Sequence, residues 1–251
     1  MSAMSTEHQL RPQRPGLVTP TFESLPRPRL ESMAAASLEV RECLRVLDKA
    51  ELNLVGEVLR GHGSFTELEH YPPDDVFDQD THAQYYYHAH RGMPGENGHF
   101  HTFLRAPGMP PGMKPVAYSG SEPWPAGDEA LSHLIAISMD AYGLPIGLFA
   151  VNRWVTAEAW YDADDVIRML DRFVIDHAFP SWPVNRWIGA MIKLFHPQIE
   201  TLIRHRDASV AAWMLAYPEV DVFEDRRLDV TGELRISIED QISSVRSALA
   251  R

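Results

Sequence analysis

One stretch, residues 82–105, constrains this chain more than any other: H-A-Q-Y-Y-Y-H-A-H-R-G-M-P-G-E-N-G-H-F-H-T-F-L-R. It holds five of the twelve histidines, four of them spaced as two His-x-His pairs, His88/His90 and His99/His101. Strand formers flank the pairs: Tyr85, Tyr86 and Tyr87 before the first, Phe100, Thr102, Phe103 and Leu104 within and after the second. Between them Gly92, Pro94, Gly95, Asn97 and Gly98 make a turn by composition. The pattern predicts a β-hairpin.

Residues two apart on a strand share a face. His88 and His90 therefore point one way with Tyr86, and His99 and His101 share a face with Phe103 and Arg105. If His90 opposes His99 and His88 opposes His101, the four imidazoles converge, with opposed Cβ atoms roughly 4.5–5.5 Å apart. Protonated imidazoles that close repel, whereas neutral ones are good ligands for a transition metal. The expected site is one divalent transition metal (Zn, Fe, Cu, Ni or Mn) held by His88, His90, His99 and His101. The plainer alternative is a surface hairpin with solvated histidines, or histidines stacked as aromatic-like fillers. Glu96, three residues before His99, is the candidate ligand or general base. Tyr86 is a candidate donor to bound substrate, and Arg105 a candidate partner for a substrate carboxylate. Three further candidates are His82, His133 and an acidic residue from 67–80. His133 is expected on the face of Ile135, Ile137 and Met139, where a histidine ordinarily packs as core. Residues 67–80 read as a solvated acidic loop, with Pro72 and Pro73 excluding regular structure.

Composition narrows the partners. A formal net charge of −12 argues against non-specific nucleic-acid or anionic-membrane binding. The single cysteine, Cys43, excludes an intrachain disulfide framework and a multi-cysteine zinc site, and fits a reducing cytoplasm. The most apolar region, 131–155, is broken by Asp140, Gly143, Pro145 and Asn152, so no membrane span is expected. No apolar signal core is read at the N-terminus. A small-molecule substrate is the expected partner.

In chain order, residues 1–31 carry five prolines and read as a Pro-rich disordered tail, followed by one domain over 32–251. Helices are expected at 31–47, with Cys43 in the apolar stripe, and at 52–60. Residues 106–127, with six prolines and four glycines, read as irregular: a lid or a wrap. Strands are expected at 131–140 and 146–156, with Asn152 or Arg153 facing the site. Helical pattern follows from 157, and a last helix covers 236–250. Arg204-His205-Arg206 reads as a small basic spot, solvated by default, with an anion contact as the alternative. The fold class is α+β: an antiparallel sheet of at least four strands flanked by N- and C-terminal helices.

His99-Phe100-His101 beside a histidine on the next strand is similar to the three-histidine zinc site of α-carbonic anhydrases. The order His88, His90, Glu96, His99 is loosely similar to the cupin pattern, without its glycine framing. The segments E-H-Y-P-P-D-D-V-F-D, Y-Y-Y-H-A-H and G-H-F-H-T-F-L-R together resemble a family of uncharacterised bacterial proteins over residues 39–238; that implies a shared domain and no mechanism. His-hydrophobic-His on a central strand also resembles rolling-circle and relaxase nucleases, which implies a helical tyrosine nucleophile, here Tyr161. Asp164, Asp165 and Arg168 stand where that motif carries a lysine, and the acidic charge opposes it. The leading expectation is a metal-dependent enzyme acting on a small molecule, as a hydrolase, lyase or oxygenase. The alternatives are a non-enzymatic metal-binding or sensor domain and the nuclease.

Overall fold

Six strands form one sheet in chain order: β1 (Tyr71–Phe77), β2 (Ala83–His88), β3 (Gly98–Arg105), β4 (Leu131–Met139), β5 (Pro145–Val151) and β6 (Val230–Arg235). Each neighbouring pair is antiparallel. Two helices, α1 (Arg27–Asp48) and α2 (Leu54–Leu59), precede the sheet. Between β5 and β6 come α3 (Arg153–Thr156), α4 (Ala163–Leu170), α5 (Trp182–Leu194) and α6 (His196–Ala216), and α7 (Ile238–Leu249) follows. The structure is a computed structural model and describes residues 16, 17, 21–120 and 122–251. Of the expected N-terminal tail, residues 1–15 and 18–20 lie outside the described residues. Among the described residues no helix is long and apolar enough to cross a membrane.

Local chemistry explains the element ends. Helix α1 starts at Arg27, earlier than expected, because Pro28 sits in its first turn, where a missing N–H breaks no helical bond. Asn53 caps α2 by accepting from the Gly56 amide at 2.8 Å. Residues 71–77 form a strand despite Pro72 and Pro73, which corrects the loop expected there. β1 is an edge strand, and its register breaks between Tyr71 and Val76, so the prolines remove no ladder bond. β5 stops at Val151 because Asn152 caps α3, accepting from the Arg153 amide at 2.9 Å. Asn152 also donates to the Val222 carbonyl at 2.7 Å, and buried Arg153 pairs with Glu224. Both residues tie α3 to the turn at 222–224, and neither faces the histidines.

β6 escaped the sequence reading because of Gly232. A Cβ there would lie 2.6 Å from the His205 ring of α6, so helix and strand approach as only glycine allows. The described residues of 106–127 are irregular apart from single 3-10 turns at the two ends, and Ala106, Met109, Met113 and Trp124 pack them against the core. Tyr118 stacks on Trp124 at 4.2 Å, and both pack beside Trp160 and Phe223. Arg206 is buried, not a solvated basic residue. Its guanidinium lies 4.0 Å above the Trp160 ring and donates to the Tyr161 carbonyl at 2.6 Å. Tyr161 precedes α4 and is 2% exposed within the core, so it offers no nucleophile to a DNA strand. Cys43 is a buried core residue whose thiol burial pushes up to about 11.

Alternation divides the sheet into two faces. Tyr85, Tyr87, Phe100, Ile135, Ile137 and Leu148 point to one side, where they merge with buried side chains of α1, α2 and α4–α7 around Trp187. The other face carries Tyr86, His88, His99, His101 and Phe103, with Phe149 and Val151 from β5.

Candidate metal centre

The hairpin places His88 opposite His99, and Tyr86 opposite His101. This corrects the expected register by two residues. A slip of two moves no side chain to the other face, so the convergence survives it. His90 lies beyond the end of β2 and is exposed. One nitrogen from each of His88, His90, His99 and His101 lies within 4.8 Å of the others.

The turn that allows this is written in Met93-Pro94-Gly95-Glu96. Proline presets the first central residue, Gly95 takes φ +86°, and the Glu96 amide donates to the Met93 carbonyl at 3.0 Å. Gly98 then brings the strands together. A Cβ there would lie 2.7 Å from the His88 carbonyl and 2.5 Å from the Tyr87 hydroxyl oxygen. The turn carries the Glu96 carboxylate to the edge of the His99 ring, with Oε1 2.7 Å from Nδ1. Arg91 donates to Glu96 at 3.2 Å and to Glu233 at 2.8 Å, and lies 3.9 Å over the Phe149 ring.

His133 joins through a bulge. Thr102 pairs with Ile135, but Phe103 pairs with His133, so Leu134 is an extra residue in β4. The bulge turns His133 away from the face of Ile135, where it was expected, and onto that of His101. Its Nε2 lies 2.9 Å from His101 Nδ1, and its backbone amide donates to buried Glu158 at 2.6 Å.

Hydrogen bonding is thus arranged behind the cluster and missing inside it. The Nε2 atoms of His88, His99 and His101 are buried and have no hydrogen-bond partner among the described residues. A buried polar atom left unpaired costs about 1–3 kcal/mol. Because a carboxylate only accepts, His99 Nδ1 carries the proton, and its buried Nε2 is a bare lone pair.

Burial keeps these imidazoles neutral. It pushes His88 down to about 2, with help from neighbouring His99, His90 and His70, and pushes His133 down to about 3. Burial also lowers His90, His99 and His101, in His99 against the pull of Glu96. For Glu96 burial works upward, but the His99 hydrogen bond and Arg91 outweigh it and hold the carboxyl below its usual range. Each lowered histidine contributes stability that is full above its unfolded value near 6.5 and is lost as pH falls toward its folded value. Glu158, raised to about 7 by burial, works the other way between its ordinary 4.5 and 7, but it is one group against several. Metal-free protein is therefore expected to show a lower urea midpoint at pH 5 than at pH 7. The limit is about 1.4 kcal/mol per pH unit for each histidine that stays neutral. A midpoint unchanged or higher at pH 5 would contradict the buried, neutral cluster.

A cleft of about 770 Å³ opens beside the histidines. His88, His90, Tyr86, His70, Phe149 and Trp154 are among its walls. His70 is held by Asp75, Nδ1 to Oδ1 at 2.9 Å, and stacks on Tyr86 at 3.6 Å. Tyr86 is 5% exposed, its ring 5.0 Å from that of His88, and burial raises its phenol. Arg105 is not brought here: it donates to Gln84 at 2.7 Å and pairs with Glu129 at 3.0 Å. His82 lies at that same far end of the hairpin, where its carbonyl accepts from the Arg105 amide at 3.0 Å. None of the acidic residues of 67–80 joins the four histidines; Asp75 serves His70 instead. Sequence reasoning missed His70 and Arg91 as wall residues. Arg91 at least sits next to His90, whereas nothing in the chain order links His70 to the hairpin.

Fold and site together define an α+β protein whose antiparallel sheet carries a cluster of four histidines, three of them buried, beside an open cleft. The chain belongs to the DUF6969 family, described as "Domain of unknown function (DUF6969)", and matches it over residues 34–236. That span takes in all six strands and the four histidines. No curated protein and no solved structure matches the chain.

Proposed function

We propose that His88, His90, His99 and His101 hold one divalent transition-metal ion, and that the chain is a metal-dependent enzyme acting on a small molecule in the adjoining cleft. The observation that carries this is the set of three buried, unpartnered Nε2 atoms within one group of four ligand nitrogens. An ion removes the cost of leaving those lone pairs unpaired, and the neutral state that burial imposes is the ligand form. Glu96 behind His99 and His133 behind His101 are the partners that orient ligating imidazoles; with His101 Nε2 on the ion, its Nδ1 would carry the proton and donate to His133 Nε2. A bound ion would act as a Lewis acid on an oxygen of the substrate. Tyr86, at the cleft wall, is the proposed donor to that substrate. Glu96, with its side chain 3% exposed and engaged by His99 and Arg91, is proposed to orient a ligand more than to move protons. The proposed role of Arg105 in binding a substrate carboxylate loses its support from geometry, since Gln84 and Glu129 occupy that side chain.

The second reading, a metal-binding or sensor domain without catalysis, draws on the ligand count, because four imidazoles fill a tetrahedral site. His90 decides between the two. It is exposed and lies outside the strand, whereas His88, His99 and His101 are buried. Three ligands and an open position define a catalytic site. In the enzyme reading His90 is the exposed, exchangeable ligand that gives up its position to substrate, so His90→Ala is expected to keep about one ion per chain at only about tenfold weaker affinity. Titration calorimetry with Zn²⁺ checks this. Complete loss of binding in His90→Ala would favour the closed, non-catalytic site.

A further inference from the structure

Charge at the cleft sorts what can enter it. Among the described lining residues the one arginine or lysine is Arg91, and Glu96 and Glu233 both hold it while its flat face covers Phe149. The carboxylates of Asp229 and Glu233 also line the cleft, and Glu233 is 52% exposed. The rest of the wall is largely apolar: Val151 and Trp154 with Val155, Met93 and Leu68. Leu68 is 70% exposed and stands at φ +70°, a left-handed conformation that bulky side chains rarely adopt. Its amide donates to the Ala89 carbonyl at 3.0 Å, next to His90, so this strained backbone holds an apolar side chain at the cleft.

We infer that the substrate of this cleft has a metal-binding head joined to an apolar body that is neutral or cationic and bears no negative charge. The inference rests on the metal reading above. A volume of about 770 Å³ suits a small organic molecule rather than a peptide or nucleic acid. A carboxylate or phosphate on the body would meet Asp229 and Glu233 with no free arginine or lysine among the described lining residues to match it; Arg226, 5.1 Å over the Trp154 ring, lies outside that lining. An aromatic or branched body instead covers Trp154, Val151 and Leu68. His70, with Nδ1 taken by Asp75, is left with Nε2 for one hydrogen bond to a polar atom of such a ligand.

The test uses full-length protein loaded with Co²⁺, whose visible absorption reports both the metal and a ligand on it. The probes are benzohydroxamate, 4-carboxybenzohydroxamate and 4-(aminomethyl)benzohydroxamate, which share one head and differ in body charge. The carboxylate probe is expected to bind about tenfold or more weakly than the other two. Trp154→Ala is expected to weaken benzohydroxamate about fivefold while leaving Co²⁺ affinity unchanged, and Glu233→Lys to erase the penalty on the carboxylate probe. If Co²⁺ binds but the carboxylate probe binds as tightly as benzohydroxamate, this inference is overturned and the metal site stands. If wild-type protein takes up no Co²⁺, both readings fall together.

Discussion

Replacing His99 and His101 together with alanine is expected to drop bound transition metal from about one ion per chain to background. Both rings sit fully buried on β3, and each has its Nδ1 engaged and its Nε2 unpartnered. Their loss leaves His88 and an exposed His90, which together make at most half a tetrahedral shell. The measurement is elemental analysis of both proteins after exposure to equimolar Zn²⁺ and desalting. Equal metal content would discard the site. Truncation also opens cavities, so Glu96→Gln serves as a companion that preserves packing. It keeps the bulk beside His99 but not the charge, and is expected to weaken Zn²⁺ about 10–100-fold. A Glu96→Gln protein with unchanged affinity would remove the carboxylate from the site.

Trp187→Ala is expected to cost about 3–5 kcal/mol of stability, read as a lower urea midpoint. Trp187 is fully buried on α5 at the centre of the helical face, 6.1 Å from the Phe100 ring. Its ring nitrogen has no hydrogen-bond partner among the described residues, so the loss is packing alone. Phe100 lies between His99 and His101 but points to the opposite face. The variant should therefore keep its Zn²⁺ stoichiometry while folded. Zn²⁺ at a hundredfold excess over its dissociation constant should return about 2.7 kcal/mol. A variant with near wild-type stability would overturn the core described for the helical face, and a midpoint that ignores Zn²⁺ would count against the cluster as a ligand set.

The readable part of the site was its parity. His-x-His on a strand puts both rings on one face whatever the neighbour does, and Met93-Pro94-Gly95-Glu96 specifies a turn through the φ values of its two central residues. The register was not readable, because slips of two residues preserve every face and differ only in turn length and in contacts such as the one Gly98 permits. Nor was the bulge at Leu134, which alone turns His133 toward His101. β1 and β6 stayed hidden for opposite reasons. Two prolines argue against a strand unless it lies at an edge, and Gly232 weakens a strand signal unless a helix presses on it.

What the amino-acid order determined unaided is local: which residues alternate, where the turns fall, which helices carry an apolar stripe, and that four histidines share a side. These follow from dihedral preference and periodicity within a few residues. Only the tertiary structure decided which strands lie at the edges, which side chains back the histidines, and where the cleft opens. Those depend on contacts between segments far apart in the chain, His70 to Tyr86, Arg91 to Glu233, His133 to His101, and long-range packing is not encoded in any short window of sequence.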